Sequence, residues 1–339
     1  MKIGIIFTGG TIGSRVDQSG YISAVGTAPF LLLEMYREQF GNDIDFVVEE
    51  PYCILSENLR ADNLLRLASC VETMLEQQDD LEGIVITHGT DTLQYTAAFL
   101  GYVFGGAGVP VVLVSSNYVL EDSRANGFMN FCYALEFIKG GYGEGVFVSY
   151  CNPGGLPTLH RAVRLQPPTP YSDAVFSVGG SWYGRFHDGF YEQNSCYQEQ
   201  EGRKSVLEFM AEGQQFALSE ASGILRIIPY VGMVYPELSP EVKVVLHESF
   251  HSGTVGIGEE LKRFKDQADL LEIPIYLTGL SEQENHYETV RAYESLGIRI
   301  LPESAVIAQY CKLWMTLSNH WDIDSVMKTS IAGDFIFSL

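Results

Sequence analysis

The stretch that most constrains the fold of this chain is its first fourteen residues, which join a short apolar run to a pair of glycines. Residues 2–7 read K-I-G-I-I-F, a pattern typical of a central parallel strand that is covered on both faces. Gly9 and Gly10 follow, and without Cβ atoms they let the backbone turn sharply near a ligand. Thr11 then lies at the carboxyl end of the strand, where open α/β sheets bind ligands. Alone, the pattern is equally typical of an ordinary strand-to-helix turn.

A second stretch repeats this design and favours a binding site. Residues 83–92 read G-I-V-I-T-H-G-T-D-T, an apolar strand that runs into a glycine, hydroxyl side chains and an acid. Because the carboxyl ends of parallel strands meet at one edge of a sheet, we expect Thr11, Thr90 and Asp91 to share one cleft. Asp91 also precedes a predicted helix, so capping that helix is an alternative role for its carboxylate.

The two motifs together resemble a known family. The runs T-G-G-T-I at 8–12 and T-H-G-T-D-T at 87–92 closely resemble the signature motifs of the bacterial-type L-asparaginase/glutaminase family, in particular its cytoplasmic type I L-asparaginases. Weaker resemblance continues at 123–131 and 302–313. It implies hydrolysis of the side-chain amide of asparagine, or of a related amide, to the acid and ammonia.

The order of predicted elements defines an α/β fold. Apolar runs alternate with amphipathic stretches at the spacing of βαβ units, which predicts a parallel sheet with helices on both faces. We predict an N-terminal catalytic domain at 1–190, a linker at 191–222 and a smaller C-terminal α/β domain at 223–339. The strands predicted for the second domain are 224–228, 242–247, 273–278 and 298–301, and its helices are 257–268, 284–296 and 303–317.

Net charge, apolar runs and cysteine usage restrict the kinds of partner and the cellular compartment that we expect. The 21 basic and 43 acidic residues give a net charge of −22, which repels a phosphate backbone, so we expect no nucleic-acid partner. No apolar run approaches the ~20 residues that a membrane-spanning helix needs, so we expect no membrane contact. The six cysteines are scattered singly, which favours a reducing compartment, and we expect a cytoplasmic protein.

The resemblance implies a set of catalytic residues and needs no metal or organic cofactor. Thr11 is the implied nucleophile, and Tyr21, from a loop over residues 15–26 predicted to be mobile, hydrogen-bonds it when that loop closes. Thr90 and Asp91 form the second hydroxyl and acid group. The backbone N–H groups at Gly10-Thr11 and Gly89-Thr90 are candidate oxyanion donors, because glycine turns and helix starts expose unpaired amides.

The resemblance also implies how the substrate is bound. Ser56 is expected to hydrogen-bond the α-carboxylate, and Asp91 to bind the α-amine. Ser56 and Glu57 also precede a predicted helix, so a role at the entry of that helix is the alternative for both. Glu57 stands where the family has a glutamine near that amine. A carboxylate pairs more strongly with an ammonium group than an amide does, but it repels an acidic side chain, so the substrate range is expected to differ. The family further implies a homodimer or homotetramer.

Two more positions depart from the family pattern. Arg164 is interpreted as the replacement of the catalytic lysine, and arginine keeps its proton at physiological pH and cannot act as a base. Thr254 stands where the family has an asparagine that reaches a neighbouring subunit. The hypothesis is therefore an amidohydrolase whose turnover is reduced or redirected. The alternative is a catalytically weak relative that binds an amino acid as a regulatory module.

A third function is suggested by residues 247–251, H-E-S-F-H, which match the H-E-x-x-H pattern of zinc proteases. That site requires a helix, which brings the two histidines onto one face. Here the motif follows the β-type run 242–246 and precedes S-G-T, so we expect both histidines at a strand end and in a loop. A zinc hydrolase is therefore the least favoured reading.

Overall fold

The computed structural model describes residues 1–16, 22–24, 28–78, 80–199, 202–280 and 287–336. The strands in chain order are β1 Lys2–Phe7, β2 Ser14–Val16, β3 Ile22–Ala24, β4 Asp45–Glu49, β5 Leu81–Thr87, β6 Pro110–Val114, β7 Gly145–Cys151, β8 Pro157–Arg161, β9 Gly184–His187, β10 Phe190–Gln193, β11 Ile224–Ile227, β12 Val244–His247, β13 Ile275–Leu277 and β14 Arg299–Ile300. The α-helices are α1 Ala28–Phe40, α2 Ala61–Gln77, α3 Leu93–Phe104, α4 Gly127–Lys139, α5 Glu259–Leu270, α6 Thr289–Ser295, α7 Val306–Ser318 and α8 Ile323–Met327.

The larger sheet has eight strands in the order β10-β9-β8-β7-β6-β5-β1-β4. The strands from β7 to β4 are parallel to one another, which confirms the predicted parallel sheet. Strands β8, β9 and β10 extend it in antiparallel fashion. Strand β8 lies in a proline-rich stretch, residues 152–170, whose sequence shows no periodicity. Its five residues carry too little apolar alternation for the sequence to show a strand.

Helices cover both faces of this sheet, as predicted. On one face α2, α3 and α7 bury side chains against Ile6, Ile86 and Val148. On the other face α1 and α4 pack on Ile5 and Val85. Alternate residues of the central strands thus pack into two separate apolar layers. This explains why the sequences of these strands are continuously apolar. The burial holds the strand ends, and the loops that leave them, in fixed positions.

The second sheet has four parallel strands in the order β11-β12-β13-β14. One of its faces is covered by α5 and α6, and the other by α7 and α8. Helix α7 also packs against α3 of the first unit. The first sheet ends at Gln193 and the second begins at Ile224, while the domain boundaries themselves stay a prediction.

Several element boundaries differ from the sequence pattern. Helix α7 begins at Val306 instead of residue 303, because Ala305 is still extended with φ −65° and ψ 131°. The stretch 15–26, predicted as loop, contributes to a short antiparallel β2–β3 pair. Among the described residues no helix is both long and apolar enough to cross a bilayer.

Candidate active site

The two glycine motifs meet at the carboxyl edge of the larger sheet. Phe7 of β1 lies opposite Thr87 of β5, so the residues that follow both strands start side by side. A Cβ atom on Gly10 would overlap Gly89 N and Cα and would lie 2.9 Å from His88 C. The two turns are therefore in direct backbone contact, and Thr11 and Thr90 are the next residues of each.

The segment between β4 and α2 completes this corner. Ile54 N–H donates to Thr8 O (3.1 Å), which ties the segment to the end of β1. A Cβ atom on Gly89 would lie 2.6 Å from Ser56 Cβ, so Ser56 packs directly on the second glycine turn. Thr92 Oγ1 donates to Ser56 O (2.8 Å). The structure thus brings Ser56 together with Gly10 and Gly89, three residues that are distant in sequence.

The same contacts correct one predicted donor. Gly10 N–H donates to Ile54 O (2.9 Å), so it is not free to bind an oxyanion or another substrate atom. Gly10 instead allows the two glycine turns to make contact, because it has no side chain and can adopt a positive φ of 73°. Within the described chain the N–H groups of Thr11 and Thr90 have no backbone acceptor, and they stay candidates for that role.

Exposure differs among the predicted site residues. Ser56 is buried, Thr11 and Thr90 are half-buried, and Glu57 and Asp91 are exposed. The two carboxylate residues are therefore more accessible to solvent than the three residues that carry hydroxyl groups. Tyr21 lies outside the described residues, so its role stays a prediction.

A buried histidine beneath the crevice was missed by the sequence reasoning. His88 Nδ1 lies 2.8 Å from Gly89 O, and its Nε2 lies 2.8 Å from Thr96 Oγ1. Burial lowers the pKa of His88 to about 4, so the ring is neutral at pH 7. Because a carbonyl only accepts, Nδ1 carries the proton and Nε2 accepts from the Thr96 hydroxyl. The ring fixes the orientation of the Gly89 peptide, and a histidine inside a strand-end motif was the available signal.

The structure places Arg164 away from this crevice, contrary to prediction. Strand β8 runs antiparallel to β7, and Arg161 at its end lies opposite Phe147, near the amino end of β7. Arg161 Nη1 donates to Glu144 O (2.7 Å), which precedes β7. Arg164 comes three residues later, so it lies by the amino edge of the sheet, whereas Thr11 lies at the carboxyl edge. This position does not favour the predicted catalytic role of Arg164, which stays a prediction.

Arg164 instead holds the end of the chain in place. Its side chain is 2% exposed. Nε donates to Gly333 O (2.7 Å), and Nη2 donates to Gln198 O (3.1 Å) and Phe335 O (3.3 Å). The guanidinium carbon lies 4.5 Å from the ring centroid of Tyr197. These contacts give Arg164 a structural role.

After Leu165 the chain turns back toward the carboxyl edge of the larger sheet. Tyr150 Oη donates to Asp173 O (2.8 Å), and Asn152 Nδ2 donates to Val175 O (2.9 Å). Because Tyr150 and Asn152 lie at the end of β7, the loop of residues 166–175 lies beside the carboxyl edge. Residues 140–203 contain no lysine, so this loop supplies no lysine to the crevice.

The H-E-x-x-H motif is not helical. His247 is the last residue of β12, and residues 248–258 lie in loops and turns, which confirms the predicted location. His247 Nε2 lies 2.9 Å from Tyr235 Oη, and Nδ1 lies 2.6 Å from Glu248 O. Both ring nitrogens are therefore engaged by protein groups. Thr254, at the position of the family asparagine, pairs its hydroxyl with that of Ser252 (2.9 Å).

These features define the class of protein: a two-sheet α/β chain in which two glycine turns, each followed by a threonine, meet at the carboxyl edge of the larger sheet. The family model described as "Asparaginase, N-terminal" matches residues 2–178, more than half of the chain. The chain belongs to the asparaginase family.

Individual relatives agree with this assignment. The chain is 25% identical to a glutamyl-tRNA(Gln) amidotransferase subunit of Sulfolobus acidocaldarius over 98% of its own length and 75% of the relative. It is 31% identical to the L-asparaginase of Thermococcus kodakarensis over 44% of each chain. The solved structure of a thermostable L-asparaginase from T. kodakarensis matches the whole of both chains with a TM-score of 0.75 and 21% identity. The last likeness shows a shared fold.

Proposed function

We propose that the chain is an L-asparaginase-like amidohydrolase that converts an amino-acid amide into the acid and ammonia. The observation that supports this proposal most is the backbone contact between Gly10 and Gly89. Thr11 and Thr90 follow these two glycines in sequence, and Ser56 packs on Gly89, which supports the proposal that the three side chains share one site. Membership of the asparaginase family favours this activity over a purely regulatory amino-acid-binding module.

In the proposed reaction, Thr11 Oγ attacks the carbonyl carbon of the side-chain amide. A new C–O bond forms, and the hydroxyl proton passes to Thr90 and Asp91, which act as one acceptor group. The N–H groups of Thr11 and Thr90 stabilise the oxyanion. The C–N bond then breaks, the proton moves to the leaving nitrogen, and ammonia departs. Water attacks the resulting ester, releases the acid and restores the Thr11 hydroxyl.

The proposed substrate contacts follow the exposure of the side chains. Ser56 binds the α-carboxylate, while the exposed carboxylates of Glu57 and Asp91 bind the α-ammonium. Two carboxylates at the open side disfavour substrates with an additional negative charge near that end. Tyr21 is proposed to close over Thr11. The proposed reaction uses only protein groups and water, so it needs no metal or organic cofactor.

An ammonia-release assay tests the proposal. Purified protein is assayed with L-asparagine, L-glutamine, D-asparagine and a peptide with an internal asparagine. Ammonia release from at least one of them, lost in Thr11→Ala, is the expected result. The matched control is Thr73→Ala, which removes the same atoms from an exposed position on α2 and is expected to keep full activity. Equal rates for Thr11→Ala and Thr73→Ala would refute the nucleophile assignment.

The alignment with an amidotransferase subunit over 98% of the chain favours a second candidate, an amidase that supplies ammonia to a partner protein. Ammonia release by the isolated chain supports the first candidate. Ammonia release that starts only when a partner protein is added supports the second. Calorimetric binding of L-aspartate without amide turnover in either case supports the regulatory amino-acid-binding module instead.

We propose a homodimer or homotetramer in the cytoplasm. Exposed apolar side chains cluster near the carboxyl end of the smaller sheet, and they include Ile228, Tyr230, Val231, Val234 and Phe250. Such a patch supports self-association. The six cysteines are free, which agrees with a reducing compartment. Light scattering after size-exclusion chromatography measures the assembly, and a monomer at micromolar concentration would contradict it.

A further inference from the structure

One edge of the larger sheet is open. Strand β4 is the outermost strand there, and among the described strands it pairs with β1 alone. Asp45 N–H donates to Met1 O (2.9 Å), which shows which backbone groups of β4 face β1. Because these groups alternate in direction along a parallel strand, the N–H and C=O groups of Phe46 and Val48 point away from β1. The outer edge of β4 therefore presents main-chain donors and acceptors that no described strand pairs.

A groove lies beside this edge, between β4 and helix α2. Its volume is about 310 Å³. Its lining includes Val47, Glu49, Cys70, Thr73, Met74 and Gln77. Val47 and Met74 supply an apolar surface, and the other side chains supply polar ones. A strand added about 4.8 Å from β4 would direct alternate side chains to this face of the sheet, so one of them can enter the groove.

Strand β4 lacks the usual features that block an edge strand. Such edges are commonly protected by proline, by a bulge or by inward-pointing charges. The sequence of β4, D-F-V-V-E, contains no proline, and its register with β1 is regular from Asp45 to Glu49. Val48 is 39% exposed. The protection that β4 does carry is a carboxylate at each end, and a carboxylate repels only an acidic partner.

The acidic side chains at the two ends of β4 are free to bind a partner. Asp45 lies at the start of the strand, Glu49 and Glu50 lie at its end, and all three are exposed. Their carboxylates form no ion pair or hydrogen bond with another described residue. Lys2, which is opposite Asp45 in β1, already pairs with Asp80 (2.7 Å). The edge therefore presents an apolar centre between two acidic ends.

These charges disfavour a second copy of the chain as the partner strand. If two β4 strands paired in antiparallel fashion about Val47, each Asp45 would face Glu49 of the other copy. If they paired in parallel fashion in register, each carboxylate would lie beside its equivalent. Like charges directly opposite each other destabilise a strand pair. A strand with basic residues at these positions would instead make a favourable contact at both ends.

We propose that β4 binds an extended segment of a partner protein, which adds a ninth strand to the larger sheet. The main chain of the segment pairs with the backbone of Phe46 and Val48. One of its side chains enters the groove beside Met74, and flanking lysine or arginine residues pair with Asp45 and Glu49. Main-chain bonds supply the affinity in this mode of binding, and the side-chain contacts supply the selectivity. The proposal does not depend on the amidohydrolase activity.

Fluorescence anisotropy with the full chain and a synthetic peptide tests the proposal. The probe is a fluorescein-labelled, amidated peptide of sequence K-V-T-V-T-V-R. The comparison peptide has glutamate in place of both basic residues. The basic peptide is expected to bind saturably, and the acidic peptide is expected to bind at least 10-fold more weakly. Added salt should weaken binding of the basic peptide, because exposed charges are screened.

Two pairs of variants separate main-chain pairing from charge. Val48→Pro removes the outward N–H group, which proline at a strand edge can do without breaking the sheet, and should weaken binding at least 10-fold. Its control, Val48→Thr, keeps the N–H group and the side-chain shape and should leave binding within twofold. Glu49→Lys should also weaken binding at least 10-fold. Its control, Glu237→Lys, makes the same change at an exposed position before β12 and should leave binding within twofold.

Four outcomes would overturn the proposal. The first is no binding of the basic peptide at millimolar protein, or equal binding of the acidic one. The second is equal weakening by Glu49→Lys and Glu237→Lys, which would show only general charge attraction. The third is full binding by a folded Val48→Pro protein; if that variant is unfolded, full binding by Glu49→Lys overturns the proposal instead. The fourth is loss of an assembly of the peptide-free protein in Val48→Pro, seen by light scattering, which would assign the edge to a second copy.

Discussion

Replacement of Gly10 by alanine tests the contact on which the crevice depends. Gly10 has φ of +73°, in the left-handed region that residues with a Cβ atom rarely adopt. The new Cβ would also overlap Gly89 N and Cα and lie 2.9 Å from His88 C. All three neighbours are backbone atoms of the second glycine turn, so no flexible side chain can move aside. The substitution must push the two turns apart.

The expected cost combines two effects. A residue with a Cβ atom in the left-handed region costs about 1–2 kcal/mol. Forcing an extra carbon into a well-packed site costs typically about 1–3 kcal/mol more. The free energy of unfolding should therefore fall by about 2–5 kcal/mol. Because Thr11 and Thr90 follow the displaced turns, amide hydrolysis should fall by at least 100-fold in the fraction that stays folded.

Urea unfolding and ammonia release measure the two effects separately. The matched control is Gly13→Ala, three residues further along, where the added Cβ meets no atom within 4 Å and φ is not positive. Gly13→Ala should change stability and rate little. A Gly10→Ala protein with the stability and rate of Gly13→Ala would refute the backbone contact between the two turns.

The other predictions concern the buried polar groups. Arg164→Lys should lower the melting temperature without raising ammonia release, because Arg164 holds Gly333 O by the other edge of the sheet; a faster enzyme would restore its catalytic assignment. Burial lowers the pKa of His88 to about 4, below the unfolded value near 6.5. Its contribution to stability is therefore present above pH 6.5 and is lost as pH falls toward 4, by about 2 kcal/mol at pH 5. Urea titrations of wild type and His88→Gln should show a shallower pH slope in the variant, and equal slopes would contradict this. Lys312→Met leaves the buried Asp334 carboxylate, 2.7 Å from Lys312 Nζ, without its cation and should cost about 3–5 kcal/mol in urea unfolding; an unchanged midpoint would contradict the burial of this pair.

Much of the fold could be predicted because local patterns agreed with the tertiary structure. The apolar runs at 2–7 and 83–87 became central parallel strands, since only a doubly covered strand buries every side chain. Strands β8 to β10 could not be predicted in the same way. They are four or five residues long, and β10 is largely exposed, so the sheet they join determines their conformation more than their own sequence does.

The candidate site could be predicted only for residues that directly follow parallel strands, because such strands end at a known edge of the sheet. Thr11 and Thr90 each follow a parallel strand, and neighbouring parallel strands end at one edge. Arg164 follows an antiparallel strand, whose end lies at the opposite edge, and nothing in the local sequence reveals that reversal. Likewise, the partner of Gly10 N–H is a backbone carbonyl from a distant loop, which no motif encodes.

The most direct measurement of the central claim is a crystal structure of the protein with L-aspartate bound. The account predicts one ligand in the crevice, with its side-chain carboxylate between the hydroxyls of Thr11 and Thr90 and its α-carboxylate on Ser56. Hydroxyl groups that face separate environments, or aspartate bound elsewhere while this crevice stays closed, would contradict it.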